Sequence, residues 1–428
     1  MFQKIILSLA FSTIMMAQNC VQCHKKEVQN YQHNLHYTLS KAINITREAW
    51  GVKDSNVTFQ TLPQAKKDIK NPSDLVDDFL RRKCLKCHID SKTNIKDSGI
   101  KRGVSCLACH EPHQTSGKCQ RDKISMDKCL SCHNKNYVGG DYQGLFPKDE
   151  EASYRAPLRQ NGYFPEVKYG IDYHHLQSDV HFQKGMTCVS CHTAKDMHEG
   201  KKVSCKDCHK NPSAKNHPAY HDNISCSACH ASWNNSSYEL SVFRDDMADY
   251  AKWKKLTLQE DEYLSNFLHR ALRSKEQIKP LMPDWVSGGL KKGVWYSGYR
   301  YRRWEDVVLG NSDEGKIEIL RPLYQYRISY RDANGTMILD DVRNANGQKT
   351  EAWIPYSPHT ITKHAKSCER CHDNPLITHP YRGDNAILKL KVPMRFIGAT
   401  ALTKEQIAKM RSSKYKQIRA KMIFSEQF

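Results

Sequence analysis

Apolar side chains are scarce in this chain, making up 39% of its 428 residues against 26% that are charged. That is thin for an ordinary side-chain core of this size, and composition alone leans towards disorder. Long apolar runs are scarcer still. The largely apolar stretch from Ile5 to Met16 falls short of the roughly 20 residues that a bilayer-spanning helix takes. Acidic residues are in deficit, 46 against 66 Lys and Arg, for a formal net charge of +20. What the chain does have is 17 cysteines and 21 histidines, and these are not scattered.

Sixteen of the cysteines fall in eight copies of Cys-x-x-Cys-His. They are Cys20/Cys23/His24, Cys84/Cys87/His88, Cys106/Cys109/His110, Cys129/Cys132/His133, Cys188/Cys191/His192, Cys205/Cys208/His209, Cys226/Cys229/His230 and Cys368/Cys371/His372. Independent placement would supply about 0.03 copies. Two thiols at this spacing can add across the two vinyl groups of one haem, and the histidine that follows is then held beneath the iron. Each motif therefore reads as one covalent haem c with a proximal histidine, eight haem c (iron) in all. Zinc knuckles and dithiol pairs also use Cys-x-x-Cys, but neither demands histidine at the same offset every time.

This reading resolves the thin core. Eight flat apolar macrocycles replace much of the side-chain interior, and the chain without them is not expected to fold. It also corrects the charge, because each haem brings two propionates that offset the basic excess. Nucleic-acid binding is therefore not expected, and anionic substrates or partners are a second use of the basic surface.

Lys4, the apolar stretch and Ala17 form the pattern of a cleaved secretory signal over residues 1–17, with an uncleaved anchor as the alternative. Haem attachment is completed outside the bacterial inner membrane, so the expected location is the periplasm. Motif starts are separated by 64, 22, 23, 59, 17, 21 and 142 residues, which excludes a simple tandem array. The expected organisation is a seven-haem domain over 18–234, a haem-free helical and β insertion over 235–350, and the eighth haem with a basic C-terminal helix over 351–428. The expected fold class is mainly α, the chain wrapped around closely packed haems.

Within the first long gap, Lys25 to Ser40 and Ser73 to Lys83 have helical spacing, while Asn134 to Gly170 looks irregular. In the insertion, Leu240, Phe243, Met247 and Tyr250, then Leu264, Phe267, Leu268 and Leu272, predict a helical hairpin. Tyr324, Tyr326, Ile328 and Tyr330 alternate, and Asn334-Gly335 then leads into Met337, Ile338 and Leu339, which predicts a β-hairpin. Thr403 and Gln406 predict a capping box on the last helix. That helix carries Lys404, Lys409, Arg411, Lys414, Lys416, Arg419 and Lys421. It is a solvated face or a dock for an acidic redox partner or a membrane surface.

Thirteen histidines remain to serve eight distal positions. An iron with histidine on both sides is low-spin and closed to substrate, so such a protein conducts electrons; one open iron makes an enzyme candidate. Proximity to a motif favours His36, His113, His175, His181, His198, His221 and His359 as distal ligands. His33 is the neighbour of His36 one turn away. His217, His364 and His379 rank below, and His269 stands apart from every motif. Trp295 to Trp304, with Arg300, Arg302 and Arg303, is an anion-attracting cluster or an exposed strand. Cys119 is the one cysteine outside the motifs, a loop thiol, a disulfide partner between chains or a soft metal ligand.

The eight motifs, their grouping, and Asp179-Val180-His181-Phe182 followed by Gly185-Met186-Thr187-Cys188 resemble the octahaem c-type cytochromes related to hydroxylamine oxidoreductase and octahaem tetrathionate reductase. The resemblance covers roughly residues 18 to 234 and 351 to 380. It implies a mainly helical fold with stacked haem pairs. It also implies either electron transfer alone or chemistry on small nitrogen or sulfur compounds. Cys-x-x-Cys-Lys, the catalytic motif of the related pentahaem nitrite reductases, is absent from this sequence, and only 56 residues follow His372, so hydroxylamine oxidation is the least supported activity. The expectation is a periplasmic cytochrome relaying electrons between a quinol-linked donor and a redox partner or acceptor. The alternative is a terminal reductase of nitrite, hydroxylamine or tetrathionate, and a homo-oligomer that extends the haem chain is compatible with either.

Overall fold

The computed structural model describes residues 24–54, 56–85, 103–110, 124–133, 138–147, 167–168, 171–210, 217, 221–247, 273, 280–304, 308–322, 325–342, 344–345, 348–349, 353–374 and 396–426. Thirteen α-helices and fifteen strands occur among these residues, so the expectation of a mainly α fold is wrong and the protein is mixed α and β.

The helices are short and cluster near the motifs. Lys25–Tyr31 and Leu35–Thr38 follow His24 in the stretch read as helical, and Ser40–Ala49 carries helix beyond its expected end. Pro72–Arg82 matches the second expected helix, and its start is written locally: Pro72 takes the first helical position and Asn71 and Asp74 form a capping box. The stretch read as irregular instead holds the helix Val138–Gln143 and β1 (Leu145–Pro147), which pairs with β3 (Ile171–His175), itself paired with β2 (Val167–Lys168).

The insertion is where the helical expectation fails. Leu240 and Phe243 lie on β4 (Asn234–Asp245), a strand, not a helix; Tyr250 and the second predicted helix, Leu264 to Leu272, fall outside the described residues. The reason is burial on both faces. Leu240, Val242 and Phe243 are all buried, so the strand shows an apolar run whose i, i+3 pair mimics a helix. β4 pairs antiparallel with β7 (Val294–Trp304) and parallel with β10 (Gln325–Arg331), aligning Val242 with both Ser297 and Ile328. β10 turns through Asn334-Gly335 into β11 (Met337–Val342), the expected hairpin, with Gly335 at φ +87°. The sheet order is β11-β10-β4-β7.

Between β4 and β7 lies the pair β5 (Leu281–Pro283) and β6 (Leu290–Lys292). A second four-stranded sheet has the order β14-β9-β8-β15. Its strands are β8 (Val308–Ser312), β9 (Ile317–Pro322), β14 (Trp353–Pro355) and β15 (Ala399–Ala401), all antiparallel. The short pair β12 (Asn344–Ala345) and β13 (Gln348–Lys349) completes the strands.

The first sheet is not a separate lobe. Its inner face shares one core with the early helices: Ile43, Trp50, Leu75 and Phe79 pack with Leu240, Val242, Trp295, Tyr326 and Ile328. Trp50 stacks on Phe79 at 5.1 Å, and Trp295 and Tyr326 meet them edge-on. A second core carries Phe146, Ala228, Ala231, Trp233, Ile319 and Tyr356, with Cys371 against it, so the second sheet lies against the last two motifs. Among the described residues no helix is long and apolar enough to cross a membrane.

Candidate functional site

Six of the eight motifs are described in full, and their local form follows from sequence. A Ser or Thr stands directly before the first cysteine in five of them, at Ser105, Thr187, Ser204, Ser225 and Ser367. Each of these takes the N-cap position of a short helical turn. The Oγ of Ser105 accepts from the amide of Leu107 at 3.2 Å and that of Ser204 from Lys206 at 3.2 Å. The turn places the two thiols three residues apart on one face and throws the histidine out beside them.

What the turns do not contain is a second histidine, and the tertiary fold brings one to each. His36 faces His133, His198 faces His110, His181 faces His209, His359 faces His192, His217 faces His230 and His221 faces His372. Every pair joins one motif histidine to one histidine outside the motifs. The ring-centroid separations are 6.0, 6.0, 6.1, 6.4, 6.2 and 6.2 Å respectively. A metal–imidazole bond of about 2.0 Å on each side, with about 1.1 Å from ring nitrogen to ring centre, separates two centroids by about 6.2 Å. The pairs therefore have the width of one metal ion held between them, and the rings can take any rotation about the shared axis, here 16° to 82°.

Hydrogen bonds select the nitrogen that faces inward. Nδ1 of His36, His181, His192, His230, His359 and His372 lies against Asn34 Oδ1 (3.2 Å), Asp179 Oδ1 (2.8 Å), Asp196 Oδ2 (2.5 Å), Thr362 O (3.0 Å), Ser357 O (3.1 Å) and Met410 O (2.6 Å). These oxygens only accept, so Nδ1 donates and Nε2 keeps its lone pair. That is the tautomer a metal needs. Burial, reinforced by the neighbouring His133, pushes His36 down to about 4, and burial lowers His359 and His221 too, so all three stay neutral and able to ligate.

The motifs are also in sequence with one another. The thiol of Cys109 lies within electrostatic reach of those of Cys129 and Cys132, Cys129 lies beside Cys188, and Cys191 lies within reach of Cys208. Cys205 lies beside Cys226, and Cys229 lies within electrostatic reach of Cys368. The six form one row in chain order. The last step spans the insertion, and the return is stitched by Thr362 and Lys366 amides donating to the carbonyls of His230 and Cys229, each at 2.8 Å.

Among the described residues no three His, Cys, Asp or Glu side chains converge on one point; each pair offers two ligands. Two axial imidazoles are what an iron already held by four porphyrin nitrogens takes, and two thiols beside one of them are what haem attachment takes. The residues present fit haem c.

Of the favoured distal histidines, five stand in these pairs. His113 falls outside the described residues, as do Cys20, Cys23, Cys87, His88, Cys119, His269 and His379. His175 lies on β3 beside the buried His174. His217, ranked low, pairs with His230; it stands close to the motifs on both sides, as His221 does, and proximity alone could not order the two. A sharper signal was present at Asn34-Leu35-His36 and Asp179-Val180-His181, where the cap residue two positions earlier holds both the amide and Nδ1 of the histidine. Of the aromatic and basic cluster, Trp295 and Tyr296 are buried rather than exposed; the side chains from 298 to 304 fall outside the description.

The basic C-terminal segment is two helices, Lys404–Arg411, with the expected Thr403/Gln406 capping box, and Lys414–Glu426. Both pack on the last motif. Arg411 donates to the carbonyls of His372 (2.6 Å) and Asn374 (2.5 Å), and the Tyr415 ring stacks on His372 at 4.5 Å. Lys404, Lys409, Lys414, Lys416 and Lys421 are exposed. No protein family, curated protein or solved structure matches this chain.

Proposed function

We propose that the chain is a periplasmic octahaem c-type cytochrome that passes electrons along its haems between a quinol-linked donor and a second redox protein or acceptor. One observation carries this reading: six motif histidines each face a second histidine at the separation expected of two ligands to one iron. When bound, haem c supplies a one-electron Fe(III)/Fe(II) couple, and an electron moves from donor to acceptor with no bond made or broken.

The work of the chain is to hold the couples still and close together. The thiols would anchor each macrocycle, the paired histidines would hold its iron and leave no place for small ligands, and the Nδ1 contacts keep His36, His181, His192, His230, His359 and His372 in one tautomer and orientation. The short turns and the cysteine-to-cysteine contacts place successive motifs side by side, which supports a continuous route through the six. The signal-like pattern of Lys4, the apolar stretch from Ile5 to Met16 and Ala17 supports the same reading, since thioether formation takes place outside the inner membrane.

The test is a haem count by the pyridine haemochrome reaction with a low-temperature EPR spectrum of the oxidised protein. Eight haems, all low-spin, with no spectral response to nitrite, hydroxylamine or tetrathionate, is the expected result. A high-spin iron that responds to one of these compounds would replace conduction with reduction of that compound, and absence of haem would end the reading altogether.

A further inference from the structure

The six Nδ1 contacts are of two kinds. Four acceptors are neutral: the side-chain amide of Asn34 and the peptide oxygens of Thr362, Ser357 and Met410. Two are carboxylates. Asp196 holds His192 at 2.5 Å from one helical turn away, and Asp179 holds His181 at 2.8 Å. The two sites they serve, His192/His359 and His181/His209, are neighbours, third and fourth in the row of six, joined where Cys191 meets Cys208.

A carboxylate draws the Nδ1 proton towards itself and leaves the imidazole a stronger electron donor. A stronger donor favours the ferric over the ferrous ion, because the ferric ion carries the additional positive charge. We propose that Asp179 and Asp196 are positioning residues that hold these two adjacent irons at low potential, midway along the row; this rests on the haem reading above.

Asp179 is built for that role. Its side chain is 3% exposed, so its charge is poorly screened. It is fixed by three donors: the His181 ring, the His181 amide at 2.8 Å and the Ile361 amide at 2.8 Å. Its charge is felt at Cys191 and His359 as well, both of the neighbouring site. Asp179 therefore acts on two irons. Asp196 is more exposed, at 22% of its side chain, and its charge reaches His36 of the adjoining site.

The experiment is a spectroelectrochemical titration of purified eight-haem protein, wild type against Asp179→Asn and Asp196→Asn. Asparagine keeps an oxygen acceptor and the side-chain volume and removes only the charge. In Asp196→Asn one titrating component is expected to move to a more positive midpoint, and that of the adjoining His36 site by a smaller step, with haem content and low-spin bands unchanged. Asp179→Asn is expected to move one component by a larger step and a second by a smaller one. Asp179→Glu and Asp196→Glu, which restore charge, return the curves towards wild type.

Titrations that superimpose on wild type while all eight haems are retained overturn the proposal. If the asparagine variants fail to load haem, the wild-type ferric EPR spectrum decides. Two low-spin components with g-values drawn together, the mark of imidazolate-like ligands, are expected, and their absence overturns the proposal. Wild-type protein without haem would instead defeat the functional reading itself, so the two failures are distinct.

Discussion

Asp141 is fully buried beside Tyr356, whose hydroxyl donates to its Oδ2 at 2.5 Å while the Arg321 guanidinium covers the Tyr356 ring at 4.9 Å from its centroid. Burial nevertheless pushes the carboxyl up to about 7, outweighing the hydrogen bond and the Arg321 charge. A folded value above the unfolded one means that ionisation opposes folding. The penalty is small below about pH 4, grows as pH rises, and reaches its full size, about 4 kcal/mol, above pH 7. Asp141→Asn is therefore expected to raise thermal stability strongly at pH 8 and little at pH 4; equal gains at the two pH values would show that the carboxyl titrates normally. Among the paired histidines, His359→Ala leaves His192 facing an open position. One iron in eight is then expected to turn high-spin in the EPR spectrum, and a spectrum still wholly low-spin would remove His359 from the ligand set.

The helix Pro72–Arg82 is bound to the insertion through buried charge. Arg82 donates to the carbonyls of Lys291 (3.3 Å), Lys292 (2.9 Å) and Gly293 and pairs with Asp78 at 3.2 Å. Asp78 also accepts from the Trp295 indole at 2.8 Å, and Arg81 pairs with Asp284 at 2.9 Å. Desolvating these ions is expensive, so the network adds less stability than its bond count suggests, yet breaking it leaves charges buried alone. Arg82→Ala is expected to lower unfolding free energy by about 3 to 5 kcal/mol in denaturant titration. Arg82→Lys should recover little of it, because one ammonium cannot reach all three carbonyls at once. A loss within 1 kcal/mol would show that the clamp is dispensable. Such contacts explain why the helix Pro72–Arg82 was legible in sequence and β4 was not. Pro72, Asn71 and Asp74 are local signals, whereas β4 owes its extended form to strands that follow it in the chain, Val294–Trp304 and Gln325–Arg331.

The whole molecule divides its core by chemistry. Around Trp50, Phe79, Trp295 and Tyr326 side chains alone fill the interior, whereas among the described residues between 103 and 232 few apolar side chains are buried, which is where macrocycles would supply the packing on the proposed haem reading. On that reading the thin apolar composition is an average over an ordinary core and a haem-dependent one. That side-chain core narrows the expectation that the chain without haem does not fold: such chain is expected to be cut by protease first between 103 and 232, while fragments spanning the sheet survive longer; uniform digestion would show that both halves depend on haem. At this scale the division between sequence and fold becomes plain. Everything set within one helical turn was written in the sequence: eight pairs of thiols, the histidine beside each, the serine and threonine caps, the capping box at Thr403. Five of the second histidines could be named from their nearness to a motif, but which motif each one joins could not, since the partner comes from another part of the chain, and no local spacing ranks His217 with His221 or joins His36 to His133. Only tertiary packing chose those partners, for the same reason that it turned Leu240 and Phe243 into a strand: contacts between distant segments outweigh the weak preferences of the residues next door.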